Sequence, residues 1–271
     1  MGVEIPIVVF GFDRAKNLRK SLKRVLQVTD GPVYVILDGP RDERDALAIS
    51  DCVKAIEGLL QPRVKLHRYS NNLGLSGVPQ KINWVFEHEE EALFVEDDVL
   101  ISRKFYRFVK AFKPNLLAGK YFSIGGYQPI SVDRSEFEAI SSPRFVCWGW
   151  YTNRANWNQL LESEIGSLPQ PPSACVVDLY ETAKDYDITQ GSWDLTVALK
   201  CLSADVTNIL PPVNLVRNIG LRTGQHGRIR LANLSHNRNR SPLRRRRLDR
   251  SPILDVKTNL KWEKDFRVKF L

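Results

Sequence analysis

Residues 92–100 read Ala92-Leu93-Phe94-Val95-Glu96-Asp97-Asp98-Val99-Leu100. Four apolar side chains run straight into three adjacent carboxylates, and the chain then turns apolar again. The run is short and follows a polar, helix-like segment, Glu87-His88-Glu89-Glu90-Glu91. Together they read as a helix end leading into a buried strand of a parallel sheet. Three carboxylates at the end of such a strand repel one another where water is scarce. A hard divalent cation, bound through oxygen, would hold them there, and open α/β sheets bind their ligands at the carboxyl ends of strands. A solvated acidic turn after a strand is the competing reading.

Upstream, Ile5-Pro6-Ile7-Val8-Val9-Phe10 reads as a first buried strand ending in Gly11-Phe12-Asp13-Arg14. Asp13 is placed to cap a helix with Leu18, Leu22, Val25 and Leu26 at helical spacing. Val33 to Leu37 reads as a second strand, ending in Asp38-Gly39-Pro40, with a helix on Leu47, Val53, Ile56 and Leu60 behind it. A third, shorter strand, Val64 to Arg68, leads into the loop Asn71-Asn72-Leu73-Gly74-Leu75-Ser76-Gly77 and a helix with Ile82, Val85 and Phe86. Strand and helix thus alternate about four times in roughly the first hundred residues, the pattern of an open, mostly parallel sheet. Three successive strand ends carry polar groups (Asp13/Arg14, Asp38 and Glu96 to Asp98) to one edge.

Downstream come a helix with Phe105, Phe108, Val109 and Phe112, then an apolar strand, Tyr121 to Gly125. Residues 128–144 are polar and irregular. The aromatic run Phe145-Val146-Cys147-Trp148-Gly149-Trp150-Tyr151 is either a platform for apolar sugar or base faces, or plain core. Ser192-Trp193-Asp194 opens a further helix, where Asp194 is an N-cap on the simplest reading. Val213 to Val216 reads as a last strand, followed by Arg217-Asn218-Ile219-Gly220 and Gly224-Gln225-His226-Gly227.

Composition bounds the class. A chain of 271 residues with 43% hydrophobic and 26% charged residues fits a globular α/β protein with a sizeable core. Four scattered cysteines without paired spacing favour a reducing, cytoplasmic setting over zinc or disulfides. Neither a signal peptide nor a membrane-spanning stretch is expected. The net charge of +9 is uneven: ten arginines stand against one acid between Arg222 and Arg250, so the remainder is neutral.

In this order the motifs resemble the nucleotide-sugar glycosyltransferases of the GT-A fold, and within them glycosyltransferase family 2 and the branch around N-acetylglucosaminyltransferase I. The matching stretches are Phe-Gly-Phe-Asp-Arg at 10–14, Leu-Asp-Gly at 37–39, Asn-Asn-Leu-Gly-Leu at 71–75, Val-Glu-Asp-Asp at 95–98, Trp-Gly-Trp at 148–150, Ser-Trp-Asp at 192–194 and the glycine-rich stretch ending at His226. They span about residues 5–227. The resemblance implies a GT-A, Rossmann-like sheet flanked by helices. Residues 1–227 would form the catalytic domain, with a nucleotide-sugar half (1–127) and an acceptor half (128–227), and 228–271 an arginine-rich extension.

It further implies an inverting, metal-dependent transfer from a nucleotide diphosphate sugar, with UDP as the first expectation, to a saccharide or lipid-linked acceptor. Asp98 would ligate Mn2+ or Mg2+, and Asp194 would be the general base. Here Leu195 stands where relatives carry a second acid. Glu96 and Asp97 would face donor sugar and ribose, on opposite sides of the strand if it stays extended. Asp38, Asn72 and Arg14 would hold the nucleotide, although Arg14 also reads as a surface helix residue. Trp148, Gly149, Trp150 and Trp193 would form a platform for sugar or acceptor. His226 would reach metal or diphosphate, or be structural.

The arginine run at 244–247 reads first as a solvated tail. Behind that stand peripheral membrane contact through Arg244 to Arg247 and then nucleic acid. Apolar residues after 252 suggest that the end folds back or pairs with a second subunit in a homo-oligomer. Two readings compete with the transferase: a nucleotidyltransferase, and a non-catalytic polyanion-binding protein using the arginine segment.

Overall fold

The computed structural model describes residues 4–128, 139–165, 192–220 and the short strand 254–255. His226 and the arginine segment from 228 to 250 lie outside the described residues, as does the expected boundary at 227.

The first half is the expected strand–helix alternation: β1 (Ile7–Gly11), α1 (Ala15–Leu26), β2 (Val33–Leu37), α2 (Glu43–Ile56), β3 (Val64–Arg68), α3 (Val78–Phe86) and β4 (Glu91–Glu96). Then follow β5 (Val99–Ile101), α4 (Arg103–Asn115), β6 (Tyr121–Gly125), β7 (Ile140–Ser142), β8 (Trp150–Asn153) and α5 (Arg154–Glu162). After these come α6 (Trp193–Ser203), β9 (Thr207–Leu210), β10 (Val216–Asn218) and β11 (Leu254–Asp255). The result is a mixed α/β fold with one large central sheet in the order β11-β7-β9-β6-β8-β4-β1-β2-β3, flanked by helices.

β1 to β4 run parallel. β8 runs antiparallel between β4 and β6, and β7 antiparallel to β9. From β1 the chain steps outward to β2 and β3, then returns to β4 on the other side of β1. Strand order therefore reverses between β1 and β4, the kind of switch point at whose carboxyl edge open α/β sheets form their ligand crevice. β5 and β10 form a separate antiparallel ribbon beside it. β11 pairs parallel with β7, so residues 254–255 return to the sheet.

Alternating strand residues feed two cores, as a period of two requires. Ile7, Val9, Val33 and Val35 pack with α1, α2 and α4 on one face. Val8, Tyr34, Ile36 and Phe94 pack with α3, α5 and α6 on the other. Each fully buried Leu, Ile, Val or Phe contributes about 1.5–3 kcal/mol.

Four local expectations change. The polar segment 87–91 is not helical: α3 ends at Phe86, and Glu91 already begins β4. Asp13 does not cap α1, because Arg14 occupies the cap position and makes no side-chain cap bond. In α2 the buried stripe is Asp45, Ile49, Cys52 and Ile56, while Leu47 is 70% exposed and Leu60, beyond the helix, is 39% exposed. The start set by Asp42, whose carboxylate accepts from the Asp45 amide at 2.8 Å, puts Leu47 on the outer side. Finally, β4 stops at Glu96, so Asp97 and Asp98 stand in a turn and both reach the same partner instead of pointing apart.

Candidate active site at the carboxyl edge

The strands that meet at the switch point each deliver charge. Arg14, just past β1, donates from Nη1 to Asp98 Oδ2 at 2.7 Å and from Nε to Asp97 Oδ2 at 3.2 Å. Its Nη2 makes a second, shorter bond to Asp97 Oδ1. This forked geometry suits a guanidinium and two carboxylates. Burial alone would lower the Arg14 pKa, but the two aspartates more than reverse that and raise it. Asp97 and Asp98 are both buried. Burial pushes the Asp97 carboxyl up, and Arg14 opposes the push.

Glu96 ends β4 on the side facing α6. Burial, and then the charges of Asp98, Asp194 and Asp97, lift its carboxyl to about 8. Asp194 sits in the first turn of α6, whose N-terminus opens at the same edge; the cap position belongs to Ser192, so Asp194 is not the N-cap. The Ser192 hydroxyl donates to Asp194 Oδ1, and the Cys147 thiol lies 3.5 Å from Oδ2. Burial, Glu96 and Asp194 keep Cys147 well above the ordinary thiol pKa, so it is a protonated donor and not a thiolate nucleophile.

The far wall comes from the ribbon. Asn218 Nδ2 lies 3.4 Å from Asp98 Oδ1, and the Ile219 amide donates to the Asp98 carbonyl at 2.7 Å. Gly220 fits so closely that a Cβ there would stand 2.0 Å from Asp98 Oδ2, a glycine required by close approach.

Asp38 and Asn72 form a second cluster, at the ends of β2 and β3. The Asp38 carboxylate accepts from the amides of Gly39 and Leu73, both at 2.9 Å, and Gly74 at 3.1 Å. It also pairs with buried Lys81 at 2.7 Å. Burial lowers the Lys81 pKa while Asp38 raises it; burial prevails. The Asn72 amide donates to the Gly39 carbonyl at 2.9 Å. Both residues shape the 71–77 loop, and the carboxylate already has four donors.

The aromatic platform divides. Trp150 is 1% exposed and stacks among Phe94, Phe122, Trp157 and Trp193, and Trp193 is 5% exposed. Both are core, and neither offers an open face to a sugar. Trp148 is partly buried and lies 4.5 Å from the Tyr127 ring, while Gly149 turns the chain with φ +74°. Lys81, Cys147 and Asn218 were not singled out from sequence. Lys81 carried a signal: it shares the stripe Val78, Lys81, Ile82, Val85 at helical spacing, a lysine where the core expects an apolar side chain.

Among the described residues, no group of three or more His, Cys, Asp or Glu side chains is arranged to enclose a metal ion. The donors still fit one. A Mg2+- or Mn2+-type site needs one or two carboxylates, with substrate phosphates and water completing the shell. Arg14 pairs with Asp97 and Asp98, and Glu96, whose carboxyl is raised by burial first and then by Asp98, Asp194 and Asp97, completes an acidic group beside it.

No family model matches the chain, and no curated protein matches it. Solved structures do. A mannosyltransferase from Pyrobaculum calidifontis, in complex with GDP-Man and Mn2+, is 15% identical with a TM-score of 0.45, over 77% of this chain and 55% of that one. GalNAc-T7 with UDP, GalNAc and Mn2+ is 11% identical with a TM-score of 0.48, over 78% and 43%. A UDP-glucose pyrophosphorylase complexed with UDP-glucose is 10% identical with a TM-score of 0.43, over 76% and 90%. The chain spans about half the length of the first two.

Proposed function

We propose that this protein is a GT-A nucleotide-sugar glycosyltransferase acting with inversion. The observation that carries the reading is the convergence, at the β1/β4 switch point, of Arg14, the Glu96-Asp97-Asp98 group and Asp194 from α6. An acidic wall with one guanidinium suits a ligand that brings a diphosphate together with a divalent cation. Asp98 would hold that cation, and His226 is a further candidate ligand outside the described residues. When bound, the metal supplies Lewis-acid stabilisation of the departing diphosphate.

The chain's own residues do the rest. Asp194, held by Ser192 and Cys147, takes the proton of the acceptor hydroxyl as its oxygen bonds to the anomeric carbon. The bond from that carbon to the diphosphate oxygen breaks in the same step, and a nucleoside diphosphate leaves. Arg14 fixes Asp97 and Asp98 in one orientation, so that the site is preorganised. Glu96 and Asp97 would contact donor sugar and ribose. Asp38, Lys81 and Asn72 would support the nucleotide by holding the 71–77 loop in shape.

A nucleotidyltransferase is the second reading. It would need free cationic groups on the phosphates after β1, whereas the cation there, Arg14, is already engaged by two aspartates. The test is a thermal-shift panel of nucleoside diphosphates and sugar nucleotides with and without Mn2+, on the wild type and on Asp98→Ala, followed by product analysis. Saturation at a hundred times Kd adds about 2.7 kcal/mol. Mn2+-dependent stabilisation lost in Asp98→Ala, with nucleoside diphosphate as product, supports the transferase. Pyrophosphate as product supports the second reading, and no shift with any nucleotide removes both.

A further inference from the structure

Helices α1 and α4 pack on the same face of the sheet, and neither contains an acidic residue. α1 carries Lys16, Arg19, Lys20, Lys23 and Arg24; α4 carries Arg103, Lys104, Arg107, Lys110 and Lys113. Among the described residues, Lys110 pairs with Glu4 and Lys113 with Glu91. Arg19, Arg24 and Arg103 donate to the neutral carbonyls of Ala55, Ile101 and Gln27. Lys16, Lys20, Lys23 and Arg107 are exposed and have no carboxylate partner among the described residues. Arg103 reaches the end of α1 through Gln27, joining the two helices, and the cleft between them is lined by Arg103 and Arg107 with Asp30 as its one carboxylate.

We propose that the outer faces of α1 and α4 form a cationic surface that docks the protein on an anionic lipid bilayer. The charge pattern selects that partner. Seven cations without a carboxylate partner among the described residues (Lys16, Arg19, Lys20, Lys23 and Arg24 on α1, Arg103 and Arg107 on α4) make a broad positive face, whereas the chain outside these two helices and residues 222–250 is net negative. Polybasic faces of this kind adsorb to anionic headgroups without insertion. Among the described residues, no exposed aromatic side chain interleaves the cations, so the face lacks the stacking platforms that single-stranded nucleic acids use. Just past α4 stands an exposed apolar residue, Leu117 (58% exposed), which a headgroup layer can bury. The apolar sides of both helices are committed to the core, so binding is electrostatic and weakens with salt. α1 runs from Arg14 at the crevice back to the cleft, while the cleft and α4 lie at the amino edge, away from the crevice.

The test uses the full chain and sedimentation with vesicles of phosphatidylcholine, alone or mixed with phosphatidylglycerol, over a salt series. Three proteins are compared: wild type; Lys20→Glu, Lys23→Glu and Arg107→Glu together; and Arg244 to Arg247 all changed to alanine. Thermal melts confirm that each folds. The expected result is salt-sensitive binding of the wild type to the anionic vesicles alone. The charge-reversed variant should lose more than ~100-fold in partitioning, at roughly fivefold per charge, and the tail variant should keep most of it. Three results overturn the proposal: no binding of the wild type, unchanged binding of the charge-reversed variant, or a wild type that prefers an oligonucleotide to the vesicles at equal salt.

Discussion

The two edges of the same sheet handle charge in opposite ways. At the carboxyl edge, Asp97 and Asp98 are buried and share one guanidinium, with half-buried Glu96 crowded beside them. Toward the amino edge, Lys20, Lys23 and Arg107 stand exposed with no carboxylate partner among the described residues, although Lys110 and Lys113 pair with Glu4 and Glu91. A buried charge is tied to the fold by its desolvation cost, whereas an exposed one is screened and tied to nothing. Changes at the crevice should therefore alter chemistry and stability together, and changes at the amino edge should alter neither.

The sharpest way to break that contrast is Asp194→Asn. It keeps the shape and removes the base, so kcat should fall about 10²–10⁴-fold while nucleotide binding by thermal shift stays as in the wild type. A kcat within a few fold of the wild type would remove Asp194 from the chemistry. Next comes Arg14→Met, which strands Asp97 without its cation. Urea unfolding should show a loss of about 3 kcal/mol, the low end for such a pair because Arg14 is about a third exposed.

A smaller effect follows from Glu96. Its folded carboxyl sits near 8 against an ordinary value near 4.5. Between those values the unfolded chain releases this proton and the folded chain keeps it. Stability of the metal-free protein should thus fall as pH rises from about 4.5 to 8, and Glu96→Gln should flatten the fall by about 1–2 kcal/mol. Melts across that range, wild type against variant, read it directly. Smallest of all, Lys20→Glu with Lys23→Glu should shift stability by less than about 0.5 kcal/mol, because both side chains are exposed.

What the sequence made legible was what a single element decides. The buried strand running into Glu96, the alternation up to it and the delivery of Arg14 and the acids to one edge all follow from local pattern and strand polarity. What it hid depended on phase or on distant chain. Leu47 looked like core until the cap at Asp42 fixed the rotation of α2. Trp150 looked like a platform because an aromatic run does not say which face of β8 the α5 and α6 helices cover. The turn after Glu96, which brings Asp97 and Asp98 to one guanidinium, could not be read from an apparently extended run. Asn218 reaches Asp98 across 120 residues of sequence, and no local pattern predicts that contact.

That last contact also sets an order in time. β1 to β4, with Arg14 and the three acids, leave the ribosome before β10 does. The wall formed by Asn218, Ile219 and Gly220 is made 120 residues later. At roughly 5–20 residues per second, the acidic turn waits on the order of 10 s for the strand that closes over it. Arg14 is already present through that interval, and its pairing with both aspartates does not depend on the late wall.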